Sequence, residues 1–161
     1  MIKKFKIFSK LKLNVLDHPK IKYKQFRRKK WLDIDKRIPR SRNKYGNLLR
    51  AKQILKIYYG NPTENILIKF YKEAKRIKGN SGLNFLKLLE KRLNTVLFRA
   101  RFSNSFEDIN QLITHKHILV NGKPIKSPTY LLKEGDIISV NKKSFDFIQK
   151  KVLETFKSRF N

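Results

Sequence analysis

Apolar residues recur every three or four positions from Asn47 to Ala100, and the chain then breaks into short apolar runs before one last helical stretch. In "NLLRAKQILKIYYG", Leu48, Ala51, Leu55 and Tyr58 form a stripe. Asn47 is placed to cap this helix and Gly60 to end it in the left-handed conformation. After "NPT", where Pro62 suits a helix start, Leu67, Phe70, Tyr71, Ala74 and Ile77 make a second stripe that runs to Gly79. The two helices, joined by "GNP", are expected to pack as an antiparallel pair with Lys69, Lys72, Lys75 and Arg76 outside. "GNSG" at 79–82 marks a boundary. Beyond it Phe85, Leu86, Leu89, Leu93, Val96, Leu97 and Ala100 predict one helix from near Leu83, with Lys91, Arg92, Thr95 and Arg99 on its polar side. Seven residues is close to two turns, so Arg92 and Arg99 should project in nearly the same direction.

Next, "SFED" at Ser105–Asp108 reads as a capping box with Asp in the place usual for Glu or Gln. It opens a short helix whose buried residues should be Phe106, Ile109, Leu112 and Ile113. "ILVNGKPI" follows, in which Asn121-Gly122 between apolar runs predicts a type I′ hairpin turn. "KEGD" (133–136) is a second turn and "GDIISV" a further strand. In the tail, Phe145, Ile148, Val152 and Phe156 stand in helical register. The predicted fold class is α+β, in four segments: a basic extended N-terminal arm (1–45), a helical lobe (46–82), a small domain with a helix pair on a short antiparallel sheet (83–142), and a C-terminal helix (143–161) packed on the helical lobe.

Charge changes the picture. The 161 residues hold 40 Lys and Arg against 12 Asp and Glu, a formal charge of +28. Such an excess disfavours a compact state through self-repulsion unless a polyanion screens it, and nucleic acid releases counterions for each phosphate neutralised. Residues 1–50 hold 18 of the basic side chains and three acidic ones, so the excess is steepest there. "KYKQFRRKKW" (22–31) and "KRIPRSRNKYG" (36–46) interleave cations with aromatics, a pattern suited to phosphate clamping and base stacking. Yet 40% of residues are apolar, enough for a packed core rather than a disordered polycation. No apolar run approaches the roughly 18 residues of a membrane span. The first residues, "MIKKFKIFSKLKLNVL", are expected to form an uncleaved basic arm; a presequence would favour Arg and Ser. Lys, Ile, Asn, Phe and Tyr make up 77 residues, and Ala, Gly, Pro and Arg 25, which points to an A/T-rich genome such as an organelle's.

Metal and catalytic chemistry find little support. With no cysteine, thiolate sites are excluded. His115 and His117 are two apart, without a carboxylate cluster, a nucleophile or an orienting third group. A helix-end role or RNA contact suits them better. The arrangement that survives is a helix face with Arg92 and Arg99, the N-terminus at Ser105, and Lys116 and Lys123 beside a tight turn. Together these could surround a phosphate backbone.

Residues 89–140, "LEKRLNTVLFRARFSNSFEDINQLITHKHILVNGKPIKSPTYLLKEGDIISV", resemble the small RNA-binding domain named after small-subunit ribosomal protein four, also called the αL motif. Its landmarks are "LEKRL", Arg99, "QLITHKHILVNGK" and "GDIISV". "NKYGNLLRAKQILKIYYGN" (43–61) is similar to the segment characteristic of that ribosomal protein family itself. The resemblance implies a shortened, organelle-type structural constituent of the small ribosomal subunit that binds small-subunit rRNA at a helix junction. It further implies a part in nucleating the subunit body and in decoding accuracy near the mRNA entrance. Implied partners are small-subunit rRNA, neighbouring small-subunit ribosomal proteins and mRNA at the entrance, with no membrane, small-molecule substrate, cofactor or metal. The implied RNA-binding residues are Arg40, Arg42, Tyr45, Arg50, Lys52, Lys56, Arg92, Arg99, Gln111, His115, Lys116, His117, Asn121 and Lys123.

Some positions depart from the family pattern. The usual Gly before Phe is Arg101, and Phe106 and Asn110 replace basic residues, so that helix should touch fewer phosphates. The implied location is a mitochondrial ribosome, with a plastid or bacterial cytoplasm as the alternative. A rival reading is a non-ribosomal RNA-binding factor acting on ribosomal subunits, which would lack "YGNLLRAKQ". An RNA-modifying enzyme that borrows the domain is not expected, with 21 residues following Val140.

Overall fold

The computed structural model describes residues 44–160, which divide into two compact units, one ending at Asn61 and the other starting at Pro62. In the first, helix α1 spans Lys44–Tyr58. It is already helical at Lys44, so Asn47 lies inside it and does not cap it. No proline separates Lys44 from Asn47, and the helix runs through Gly46, whose cost of about 1 kcal/mol relative to alanine is not enough to stop it. Ile57 is its buried residue and Tyr59, just past its end, is buried as well, whereas Leu48 and Tyr58, from the predicted stripe, are exposed. The end is as expected: Gly60 takes φ 73, its N–H donating to the Ile57 carbonyl (3.1 Å) while that of Asn61 donates to Lys56 (2.7 Å). This crossed pair satisfies two carbonyls that the last turn leaves open.

The second unit begins with α2, Glu64–Arg76, whose buried residues Leu67, Phe70 and Ala74 come from the predicted stripe. It packs against α3, Ser81–Glu90. "GNSG" is the turn between them. Asn80 caps α3, its Oδ1 accepting from the N–H groups of Gly82 (2.8 Å) and Leu83 (3.3 Å). Asn84 is buried against the turn and donates from its amide to the carbonyls of Ile77 and Lys78.

The predicted long helix is two helices. After α3 the chain straightens at Arg92 (φ −70°, ψ 136°), and α4 runs over Leu93–Arg99. The interruption has a tertiary cause. Residues 91–94 pair with the segment 128–132: Leu93 N–H donates to Tyr130 (2.8 Å), Asn94 N–H to Pro128 (3.2 Å), and Leu132 N–H to Lys91 (2.8 Å). The backbone groups freed from the helix are thus taken up by a distant strand-like segment. Leu89, Leu93 and Leu97 still face inward, all essentially inaccessible.

Helix α5, Phe106–Thr114, buries the four predicted residues, Phe106, Ile109, Leu112 and Ile113. It packs against α4. Strand β1, Ile118–Val120, then turns through Asn121 (φ 51) and Gly122 (φ 75) into β2, Lys123–Pro124. Both central residues have positive φ and Val120 faces Lys123, as the Asn-Gly signal requires. Strand β3, Ile138–Val140, pairs antiparallel on the other side of β1, giving the order β2-β1-β3. The class is therefore α+β, as predicted.

Helix α6, Phe145–Phe160, follows a 3-10 turn at Lys142–Ser144. The sequence places it on the helical lobe; the contacts described for it run to the α+β part. Lys151 Nζ lies 3.8 Å from the Asp108 carboxylate on α5, and the Phe147 ring lies 6.1 Å from that of His117. Its buried side chains are Ile148 and Thr155, whereas Phe145 and Phe156 are exposed.

Candidate nucleic-acid interface

The centre of the site is the end of α5. His115 is its C-cap, Lys116 follows with φ 61, and two backbone bonds close the turn: Lys116 N–H to Ile113 (2.9 Å) and His117 N–H to Leu112 (3.0 Å). This is the crossed pattern that glycine usually completes, because a Cβ in the left-handed region meets the neighbouring carbonyl. Lys116 carries an exposed amine in that position. Gln111 and His115, four apart on α5, are exposed on one side of the helix. Lys123 lies at the far end of β1, exposed, facing Val120. The backbone from Lys116 to Val120 spans roughly 14 Å at strand rise. Lys126, which the motif did not single out, is exposed two residues past β2. Its only sequence signal is the run "KPIKSP".

Electrostatics separates the cations. Arg99 lies against Glu90, with Nη2 3.1 Å from Oε1 and Nε 3.4 Å from Oε2. Lys91 Nζ is 3.4 Å from Glu134. Among the described residues, no carboxylate pairs with Lys116, Lys123 or Lys126. Half-exposed ion pairs such as Arg99–Glu90 contribute on the order of 1 kcal/mol or less, so a phosphate could displace the glutamate. Lys116 and Lys123 need no such exchange.

At two expected clamps the geometry differs from the sequence reading. Arg92 does not share a face with Arg99: it stands in the break between α3 and α4, is 2% exposed, and pairs through its backbone with Leu131. Burial lowers its guanidinium pKa, since desolvation penalises the charged form. The N-terminus of α5 is also not an open anion site. Ser105 Oγ accepts the Asp108 N–H (3.3 Å) and donates to Glu107 (3.1 Å), and both acids sit in the first turn. The reciprocal half of the capping box is relayed: Ser105 N–H donates to Ser103 Oγ, whose hydroxyl donates to Asp108 Oδ2 (3.0 Å). Negative charge thus already occupies the positive end of the helix dipole.

Phe106 and Asn110 face inward. The Phe106 ring stacks on Phe98 at 4.1 Å, and Asn110 Oδ1 accepts from the Asn94 amide (3.1 Å). His117 is half-buried between sheet and tail, its Nδ1 2.7 Å from Ser144 Oγ and its carbonyl accepting from Asn141 N–H (2.9 Å). Its ring is therefore part of the seam that holds α6 on.

Asn121 organises the second turn as well as its own. Its Nδ2 donates to Asp136 Oδ1 (2.9 Å) and its Oδ1 accepts the Ile137 N–H (2.9 Å). Asp136 Oδ2 also accepts the Lys133 N–H at 2.8 Å. The Lys133 backbone bond and then the Asn121 amide hold this carboxyl below its usual 3.8. Because the folded pKa is depressed, the contribution is complete above 3.8 and is lost as pH falls through the folded value. The melting temperature of the wild type should therefore exceed that of Asp136→Asn at neutral pH, and the gap should close as the pH falls below 3.8. A gap independent of pH would count against the clasp.

On α1, Tyr45, Lys52 and Lys56 are seven and eleven residues apart and fall on one line, with Arg50 about 140° round the helix. Tyr45 is 75% exposed, and Arg50 and Lys52 are exposed. Arg40 and Arg42 lie outside the described residues. Among the described residues no group of three or more acids and histidines is placed to hold a metal ion, and no helix is long and apolar enough to cross a membrane.

The chain matches two family models in succession: residues 2–90 match that described as the Ribosomal protein S4/S9 N-terminal domain, and residues 91–138 match the S4 domain. It is 48% identical over 100 residues to the small ribosomal subunit protein uS4 of Ruegeria sp. (strain TM1040), covering 62% of this chain and 48% of the relative. The protein of the same name from Pelagibacter ubique (strain HTCC1062) is also 48% identical over 100 residues, covering 62% and 49%. That of Rhodospirillum centenum (strain ATCC 51521 / SW) is 48% identical over 103 residues, covering 64% and 50%. The match spans about half the length of these curated relatives.

Proposed function

Because this chain belongs to the small-subunit ribosomal protein S4 family, we propose that it is a structural constituent of a small ribosomal subunit and binds the rRNA of that subunit. The observation that carries this reading is Lys116, a cation with no carboxylate partner among the described residues, held in a left-handed turn at the end of α5, with Lys123 across β1. Folded RNA is the ligand that such a surface suits: its phosphates are dense, and amines bind them without reading sequence. The net charge of +28 favours the same partner. Within this reading the protein sits at an rRNA helix junction, helps nucleate the subunit body, touches neighbouring ribosomal proteins, and lies near the mRNA entrance where it affects decoding accuracy. The A/T-biased composition supports a mitochondrial ribosome as the particle; the bacterial origin of the relatives supports the bacterial cytoplasm as the alternative.

The test is filter binding of the full chain to an in vitro transcript of bacterial small-subunit rRNA at several salt concentrations. Lys116→Ala and Lys123→Ala should each weaken binding about 3- to 10-fold and reduce the log–log salt slope by about one. Alanine keeps the Cβ and so the backbone strain at residue 116, which isolates the charge. Unchanged slopes in both variants would remove these lysines from the interface, and salt-independent binding by the wild type would end the rRNA reading.

A further inference from the structure

Arg101 stands just past the end of α4, at the position that Lys116 occupies on α5. Ala100 is the C-cap and Arg101 has φ 62. Its N–H donates to Phe98 (3.1 Å) and that of Phe102 to Leu97 (3.1 Å), the same crossed pair that Gly60 completes on α1. Of the three helix ends built this way among the described residues, one uses the residue that carries no penalty there and two use a long cation. A backbone conformation that glycine would adopt freely, kept instead by arginine, needs a compensating role for the side chain.

Helix stability supplies only part of it. A cation does favour a helix C-terminus, but Arg99 already occupies the last turn of α4. The residue is half-buried beside an aromatic pair. Arg101 Cζ lies 6.0 Å from the centroid of Phe98, whose other neighbour is the stacked Phe106 ring. An aromatic base under a guanidinium limits its motion without satisfying its five N–H donors. Among the described residues no carboxylate pairs with it, in contrast to Arg99 on Glu90, Lys91 on Glu134 and Lys151 on Asp108. Arginine in this state is suited to forked contact with phosphate oxygens.

We infer that Arg101 is a phosphate-binding residue of the RNA interface, held on the Phe98 ring by a strained turn and taking the place that the buried Arg92 cannot fill. The inference rests on the rRNA-binding reading and extends it to a residue that neither the helical periodicity nor the matched motif assigned.

Arg101→Gly separates the roles, because it relieves the turn and removes the cation together. In the full chain its melting temperature should rise by about 2–6 °C. Affinity for the small-subunit rRNA transcript should fall about 3- to 10-fold, with a salt slope lower by about one. Arg101→Lys, which keeps charge and strain, should retain the slope at the wild-type melting temperature. A lower melting temperature for the glycine variant would assign Arg101 to the helix end alone and overturn the inference. So would an unchanged slope in a wild-type background that binds well, which would leave the rRNA reading standing. Failure of the wild type to bind the transcript would remove both.

Discussion

Phe106→Ala is expected to destabilise the second unit by about 3–5 kcal/mol, the range for deleting a buried phenylalanine. Phe106 is 2% exposed and is the first residue of α5. Its ring lies 4.1 Å from that of Phe98 at an interplanar angle of 15°, so it joins α5 to the last turn of α4. Part of the loss, about 0.5–1.5 kcal/mol, is the ring pair itself, and the remainder is transfer and cavity. Against a total stability on the order of 5–15 kcal/mol this is severe, and a drop in melting temperature of roughly 15–25 °C by circular dichroism should result. Phe106→Leu, which keeps most of the volume, should lose about 1.5 kcal/mol or less. A drop below about 4 °C for the alanine variant would mean that the helix pair is held elsewhere.

The same position explains how a chain can depart from its family pattern without losing the fold. A basic residue at 106 would point into the α4–α5 contact as this structure builds it. Phenylalanine instead fills that space, and the charge is carried by turn residues on either side of α5. Phe98, the other half of the pair, lies outside the predicted stripe, because the apolar spacing runs through Arg92 as if the helix were continuous. With the break in place, α4 turns Asn94, Thr95 and Phe98 inward as well as Leu93 and Leu97.

Local chemistry was legible wherever one residue type has a strong backbone reason to be there. Asn121-Gly122 specified a two-residue turn because both residues must take positive φ, and they do. Ser105 was legible as a cap, and α5 as an amphipathic helix, because all four apolar positions of a nine-residue helix point one way. The misses share a different cause. Nothing at Lys91-Arg92 breaks a helix, and the apolar spacing runs straight through; the interruption comes from residues 128–132, some 40 positions on. The left-handed turns at Arg101 and Lys116 were also invisible, since neither residue type signals that conformation. At the site, the motif led to Lys116 and Lys123, which are exposed, and to Arg92, which is not. Exposure depends on what the chain brings back against a residue, and no local pattern encodes it.

Arg92 therefore provides the sharpest contrast between family motif and geometry. Its guanidinium is desolvated, and burial lowers its pKa because the charged form loses hydration. Truncation to alanine removes a long buried stem, a large-to-small change that costs about 2–5 kcal/mol at a buried position. The backbone bonds that join residues 91–94 to 128–132 are main-chain and should persist. Arg92→Met keeps most of the stem and discards the charge, so it should cost less than alanine and leave a folded protein for RNA binding. In that variant the salt slope should equal that of the wild type, whereas Lys116→Ala loses about one unit. Slope and stability thus move independently at the two positions. If Arg92→Met also lost a unit of slope while remaining folded, the buried guanidinium would have to reach a phosphate in the complex, and the break between α3 and α4 would be a hinge that opens when RNA binds.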